Sequence, residues 1–127
     1  MKIFVFLQSK NDRDMIQRAL KEVIETSMQP NKVMLVFGAR RVGKTVLIRQ
    51  MVEHYNGKVL FLNGEDASTE EMFSTRTASH YRQLLSGTDL LVIDEAQNIP
   101  DIGKILKLIV DEVEGIRVLV SGSSSLR

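Results

Sequence analysis

Short apolar runs alternate with helix-like patterns along this 127-residue chain. The runs at 32–37, 58–62, 89–93 and 116–120 are almost continuously apolar, which is typical of strands covered on both faces. Between them, apolar side chains recur every three or four residues, as they do on one face of a helix. Alternating strands and helices predict an α/β fold, a three-layer α-β-α sandwich around a mostly parallel sheet.

Four helices are predicted, and each has a recognisable boundary residue. The first, over 12–28, cannot continue past Pro30. The third begins in the capping box Ser68-Thr69-Glu70-Glu71 and runs to a break at Gly87. The remaining boundaries are Gly57 at the end of the second helix, Pro100 in the first turn of the fourth, and Gly115 at its end.

The predicted core occupies residues 32–127, and residues 1–31 are predicted to form an N-terminal helical segment. The apolar run Ile3–Leu7 is shorter than a signal-peptide core, which needs about 7–15 residues, or a membrane span, which needs about 20. We therefore expect a soluble, cytoplasmic protein without a membrane partner.

Composition narrows the function classes. Lys and Arg number 17 against 16 Asp and Glu, so a net charge of +1 gives no bulk reason to expect a nucleic-acid partner. Cysteine is absent, which excludes a disulfide framework, a thiolate metal site and a Cys nucleophile. His54 and His80 have no partner at metal-ligand spacing, and we interpret both as structural or surface residues.

The stretch Gly38–Thr45, GARRVGKT, lies between a predicted buried strand and a predicted helix, with the spacing G-x-x-x-x-G-K-[ST]. Its glycines allow backbone torsions that turn amide N–H groups around a phosphate. Lys44 brings a positive charge to the β- and γ-phosphates, and the Thr45 hydroxyl can ligate Mg²⁺. A helix N terminus also favours an anion. The predicted phosphate-binding residues are Gly38, Ala39, Arg40, Arg41, Val42, Gly43, Lys44, Thr45 and Val46.

Arg40 and Arg41 lie at the apex of this loop and have two interpretations. They contact phosphate or a neighbouring subunit, or they are solvated and pair with local acids. The sequence leaves both open.

A second candidate site follows the strand Leu90–Ile93, which ends in Asp94 and Glu95. In open α/β sheets, the carboxyl ends of buried strands face the crevice where ligands bind. We predict that Asp94 holds Mg²⁺ and that Glu95 acts as general base on the attacking water. The alternative is that both are polar residues at a strand end that cap the next segment.

Polar residues near these motifs have more than one interpretation. Ser121, Ser123 and Ser124 follow strand 116–120, where a hydroxyl would touch the γ-phosphate or position the water. Otherwise they form a serine-rich loop. Gln97 either supports the acidic pair and senses nucleotide, or caps the helix that follows.

Together these motifs resemble a P-loop NTPase of the additional-strand class. More closely, they resemble prokaryotic AAA+-like ATPases that carry GxRRVGKT, a strand ending in DE-x-Q and a strand ending in GSSS. In this chain the pieces are Gly38–Thr45, Asp94–Gln97 and Gly122–Ser125, and the resemblance extends from about Lys32 to Ser125.

The resemblance implies a core that binds ATP and Mg²⁺ and hydrolyses the β–γ bond. It implies that Lys44 and Glu95 are catalytic, that Thr45 and Asp94 hold the metal, and that Ser123 contacts the nucleotide. The choice of adenine over guanine also comes from the resemblance, since a phosphate loop contacts no base.

The resemblance further implies that strand 116–120 lies between strands 32–37 and 89–93. Family members continue past the last motif with a further strand, a lid and a C-terminal domain, so this core is expected to be incomplete. The expected partners are those missing domains of the same protein, and a homo-oligomer is a second candidate. Without a further strand, strand 32–37 becomes a sheet edge that Ile3–Leu7 is a candidate to cover.

Two other functions remain open on the sequence. One is a nucleotide-dependent switch with little hydrolysis, since the arginines carried by the missing lid are absent. The other is a P-loop small-molecule kinase. The chain shows no acceptor pocket or basic lid for a kinase, and a Glu directly after Asp94 favours water as the acceptor.

Overall fold

A computed structural model of the chain describes residues 2–5, 29–38 and 44–123. The predicted helix over 12–28 lies outside these residues. The strands, labelled β1 to β5, are Lys2–Val5, Lys32–Gly38, Val59–Asn63, Leu90–Asp94 and Arg117–Ser123. The helices, labelled α1 to α4, are Lys44–Glu53, Ala67–Phe73, Ala78–Leu84 and Ile102–Glu112, with a 3₁₀ turn at Ala96–Asn98.

The five strands form one sheet in the order β1-β2-β5-β4-β3, and every neighbouring pair is parallel. This confirms the predicted α/β class and the predicted position of β5 between β2 and β4. The register places Val36 opposite Ser121 and Gly38 opposite Ser123. On the other side of β5, Ile93 lies opposite Val120. The carboxyl ends of β2, β5 and β4 therefore meet at one edge of the sheet.

The N-terminal strand β1 covers the outer edge of β2, with Lys2 opposite Met34 and Val5 opposite Phe37. The described part of Ile3–Leu7 thus lies where the edge-covering hypothesis places it. The division of the chain into segments 1–31 and 32–127 stays a prediction.

Apolar side chains fill both faces of the sheet. Every residue of β4 is buried, and since successive residues point to opposite faces, both faces are covered. On one face, Leu91 and Ile93 belong to a cluster that includes apolar residues of α2, α3 and α4. On the other face, Arg49 of α1 lies 4.0 Å from the ring centroid of Phe61, and Ile48 is fully buried. The sandwich thus has three layers.

The structure corrects the predicted third helix, which is two helices. Its start is capped by Asp66, whose carboxylate accepts from the backbone N–H of Ser68 at 2.9 Å, so the capping box was wrong. A second start follows at Thr77, whose hydroxyl accepts from the N–H of His80. The break lets the rings of Phe73 and Tyr81 pack edge to face with centroids 6.1 Å apart.

Two other predicted helix boundaries were wrong. Helix α1 ends at Glu53, and Gly57 lies in the loop before β3. Pro100 precedes α4 because Asp101 takes a left-handed conformation, with φ of 56°, and helical backbone begins only at Ile102. Arg76 donates to the Asp101 carboxylate at 2.7 Å, which lowers the pKa of that carboxyl.

Asn31 fastens the end of α4 to the start of β2. Its amide nitrogen donates to the carbonyl oxygens of Val110 at 2.8 Å and Val113 at 2.9 Å. Its amide oxygen accepts from the N–H of Gly115 at 3.0 Å. Backbone groups at a helix end otherwise lack hydrogen-bond partners. The Asn31 side chain supplies such partners at the amino edge of the sheet.

No helix in ranges 2–5, 29–38 and 44–123 has the length and apolar character needed to cross a membrane.

Candidate nucleotide-binding site

The candidate site lies at the carboxyl edge of the sheet, where β2 ends and α1 begins. Gly38 is the last residue of β2 and Lys44 is the first residue of α1. The connecting residues Ala39, Arg40, Arg41, Val42 and Gly43 lie outside the described residues, so both interpretations of the two arginines stay open. The strand-to-helix context that the phosphate-loop motif requires is therefore present.

Asp94 is the centre of the described part of the site. It is only 2% exposed, and both of its carboxylate oxygens accept hydrogen bonds. Thr45 Oγ1 donates to Oδ2, while Ser121 Oγ donates to Oδ1 at 2.5 Å. The backbone N–H of Glu95 also donates to Oδ1, at 3.0 Å. Thr45 of the motif and Asp94 of β4, far apart in the sequence, are thereby in direct contact.

Glu95 directly follows β4 and turns the chain sharply. Its φ of 51° and ψ of 45° lie in the left-handed region, which is uncommon for a residue other than glycine. The residue is 5% exposed, and Gln97 Nε2 donates to its Oε1 at 2.8 Å. Backbone strain of this kind is concentrated at functional sites in proteins.

Gly64 allows the loop after β3 to lie directly against this turn. Its N–H donates to the carbonyl oxygen of Asp94 at 2.7 Å. A Cβ at Gly64 would clash with the carbonyl oxygen of Glu95 and would lie 2.9 Å from the carbonyl carbon. The close approach of the two loops therefore requires a residue without a side chain.

The remaining predicted residues lie at the same edge. The backbone of Ser123 lies opposite Gly38, at the end of β5, and the strand extends past its predicted end at 120. Val46 is 48% exposed on the first turn of α1. Gln97 does not cap α4, whose N-cap is Asp101, and contacts Glu95 instead. The roles of Lys44, Val46, Glu95 and Ser123 toward a nucleotide stay predictions.

Two residues of the site were not predicted in their observed roles. Ser121 was one of three candidate serines, and its contact is with Asp94. Gly64 was assigned only to a loop, although a glycine directly after a buried strand is a signal for close backbone approach.

The residues present fit a hard divalent cation. Thr45 and Asp94 supply a hydroxyl and carboxylate oxygens, which are the donors that Mg²⁺ prefers. Among the described residues, no group of three or more His, Cys, Asp or Glu side chains forms a complete metal site. Mg²⁺ is usually held by one or two carboxylates together with waters and substrate phosphates.

Two comparisons relate this chain to known proteins. An uncharacterized protein of Methanocaldococcus jannaschii is 27% identical over 111 residues, which are 85% of this chain and 25% of that protein. The chain thus spans about a quarter of the length of that relative. A model of the family described as "AAA domain" matches residues 30–127. Since the match covers most of the chain, this protein belongs to the AAA domain family of AAA-like P-loop ATPases.

Proposed function

We propose that this protein binds Mg-ATP at the carboxyl edge of its sheet and hydrolyses the β–γ bond. The observation that carries the proposal is the contact of Thr45 with Asp94, with Glu95 directly after it. Family membership supports a nucleotide-binding, ATPase-type function at a coarse level. The contact supports the assignment of metal binding to Thr45 and Asp94.

Phosphate binding is assigned to the loop Gly38–Gly43 and to the start of α1. The first N–H groups of a helix have no partner within it, so they are available to phosphate oxygens at this position. Lys44, the first residue of α1, is assigned to the β- and γ-phosphates, where its charge stabilises the transferring group. Val46 and Ser123 are assigned to the edge of the same site.

Metal binding is assigned to Thr45 and Asp94. When bound, Mg²⁺ neutralises phosphate charge and orients the phosphate oxygens. The role of the protein is to hold the Thr45 and Asp94 side chains in position before the nucleotide binds. Ser121 and the N–H of Glu95 both donate to one oxygen of Asp94, and this fixes the rotation of the carboxylate.

Water activation is assigned to Glu95. Glu95 directly follows Asp94 in the chain, and its burial separates it from bulk water, which supports this assignment. Such a group orients the water and takes its proton as the bond to phosphorus forms. Positioning and electrostatic stabilisation supply most of the rate in reactions of this type.

The energy of hydrolysis is proposed to drive a conformational change in a larger protein. The supporting observation is that the matching part of the relative is only 25% of its length. Partners in this proposal are the remaining domains of the same protein, with a homo-oligomer as a further arrangement.

The first experiment measures thermal unfolding of the chain with Mg-ATP, Mg-ADP and Mg-GTP. A ligand that binds only the folded state at about 100 times its dissociation constant adds roughly 2.7 kcal/mol, a shift of several degrees. We expect a shift with Mg-ATP that Lys44→Ala abolishes and that Lys58→Ala, an exposed lysine outside the site, retains. No shift with any nucleotide would contradict the proposed binding.

The second experiment measures phosphate release with protein in excess over ATP, so that a slow single turnover is detected. Glu95→Gln should reduce the rate by about 10²–10⁴-fold, the usual contribution of a general base, while the thermal shift by Mg-ATP remains. Binding without turnover in the unsubstituted chain would instead indicate a nucleotide-dependent switch.

A further inference from the structure

Gln97 is the polar residue of the DE-x-Q stretch that the proposed function does not use. It lies in the 3₁₀ turn after Glu95, and its amide nitrogen donates to the Glu95 carboxylate at 2.8 Å. The pair is partly buried, and Glu95 itself is 5% exposed. A donor in this position holds the carboxylate at one oxygen.

A packing role explains Gln97 poorly. Its amide oxygen is buried and has no hydrogen-bond partner among the described residues. A buried acceptor without a partner carries a desolvation penalty that an apolar side chain of the same length avoids. A capping role is also not observed, because the N-cap residue of α4 is Asp101 and no side-chain hydrogen bond caps that helix.

Two other contacts of this turn hold its backbone. Asn98 Nδ2 donates to the carbonyl oxygen of Glu95 at 3.2 Å, and the N–H of Gly64 donates to the carbonyl oxygen of Asp94. These contacts fix where the Glu95 side chain begins. The Gln97 amide acts farther out and restricts where the reacting oxygen atoms lie.

We propose that Gln97 is a positioning residue for hydrolysis, whose side-chain amide holds the Glu95 carboxylate in the orientation needed to activate water. This inference rests on the proposed function. It assigns the fourth residue of the DE-x-Q stretch to the water-activating step, with no part in nucleotide binding. A misdirected general base slows the chemical step strongly even when substrate still binds.

The test replaces Gln97 by methionine, which keeps the length of the side chain but removes both the donor and the unpartnered oxygen. We expect kcat to fall about 10- to 100-fold, which is part of the contribution of a general base, with KM for Mg-ATP unchanged. The urea midpoint should stay the same or rise, because a buried unsatisfied acceptor is lost. Gln83→Met, at an exposed position of α3, is the matched control and should change neither quantity.

A second variant and a double variant sharpen the result. Gln97→Glu keeps the shape but places a carboxylate against Glu95, so its loss of kcat should be at least as large. In a Glu95→Gln background, Gln97→Met should cause no further loss, since Gln97 acts through Glu95.

Three outcomes would overturn this role. The first is a kcat of Gln97→Met equal to that of the unsubstituted chain. The second is a fall in both the urea midpoint and Mg-ATP binding of Gln97→Met, which would indicate a packing role. The third is a loss of kcat on adding Gln97→Met to Glu95→Gln that is as large as the loss in the unsubstituted chain. Absence of turnover in the unsubstituted chain would overturn the proposed function, and this role with it. Turnover that needs Glu95 but not Gln97 would overturn this role alone.

Discussion

Asn31 and Glu95 both adopt left-handed backbone, at opposite edges of the sheet, and their surroundings differ. Asn31, with φ of 60°, precedes β2 at the amino edge, and Glu95, with φ of 51°, follows β4 at the carboxyl edge. Both the nitrogen and the oxygen of the Asn31 side-chain amide form hydrogen bonds with the backbone at the end of α4. Glu95 is instead held by Gln97, whose own oxygen lacks a partner among the described residues.

The comparison indicates that the same left-handed backbone conformation occurs in two different settings within one domain. At the amino edge, hydrogen bonds to α4 offset the strain, so the feature stabilises the fold. At the carboxyl edge, the buried groups are arranged around the Asp94 and Glu95 carboxylates, which is less favourable for stability and is characteristic of a functional site.

The largest effect is expected from Gly64→Ala at the carboxyl edge. The new Cβ would clash with the Glu95 carbonyl oxygen and would lie 3.1 Å from the Asp94 carbonyl oxygen, so the backbone of both loops must move. Overpacking of this kind costs about 3 kcal/mol of unfolding free energy, and the displaced Glu95 should reduce phosphate release as well. Urea unfolding and single-turnover hydrolysis measure the two effects.

Gly103→Ala is the matched control, because a Cβ there meets nothing within 4 Å on α4. It should leave hydrolysis unchanged and raise stability by about 0.5–1 kcal/mol through helix propensity. Equal stability of both variants would show that Gly64 is not needed for the close approach.

A smaller effect, on stability alone, is expected from Asn31→Ala at the amino edge. It removes three side-chain hydrogen bonds, of which two serve the carbonyl groups of Val110 and Val113. We expect the free energy of unfolding, measured in urea, to fall by about 2 kcal/mol. Each such bond contributes about 1 kcal/mol, and Asn31 is partly exposed to solvent, which reduces the total. Mg-ATP binding and turnover of the folded protein should not change.

Asn56→Ala, at an exposed position, controls for the substitution itself. Asn31→Gly separates the hydrogen bonds from the left-handed backbone, because glycine adopts positive φ freely. A loss of nucleotide binding in Asn31→Ala would break the proposed division between the two edges.

The smallest effect on stability is expected from Ser121→Ala. It removes the buried hydroxyl that donates to Asp94 Oδ1 at 2.5 Å, which we expect to cost about 1 kcal/mol. The carboxylate then rotates more freely, so the Mg²⁺ concentration that gives half of the ATP-dependent thermal shift should rise several-fold. Thermal unfolding at fixed ATP and varied Mg²⁺ measures this shift.

Ser86→Ala, at an exposed position after α3, is its control and should leave the Mg²⁺ dependence unchanged. An unchanged dependence in Ser121→Ala would mean that Thr45 and the Glu95 N–H suffice to orient Asp94.

Periodicity was enough to predict strands β2 to β5 and the fold class, and motif context was enough to predict that Thr45 and Asp94 lie at the same edge of the sheet. Continuous apolar runs indicate strands that are covered on both faces. In a parallel sheet with two buried faces, neither side of a strand is exposed to water, so its residues do not alternate between apolar and polar. The order of the strands came from the resemblance, since the local pattern of β5 does not say which strands it joins.

The contacts that complete the site depend on long-range register and were not readable from the sequence. Ser121 meets Asp94 only because Val120 lies opposite Ile93 in the sheet. The requirement for Gly64 depends on how closely another loop approaches. The break between α2 and α3 was not predicted, because apolar residues at helical spacing occur in both helices. The missed signal is Thr77, which is the N-cap residue of α3.

The strand order also has a consequence for how the chain folds as it is made. The central strand β5 is the last of the described strands to be synthesised, yet it pairs with both β2 and β4. At about 5–20 residues per second, a ribosome completes β5 roughly 4–17 s after β2. Until then β2 and β4 have no strand between them, and the serine that holds Asp94 does not yet exist. The contacts around Asp94 are therefore among the last of the described features to form on the ribosome, and they require that β5 already pairs with β4.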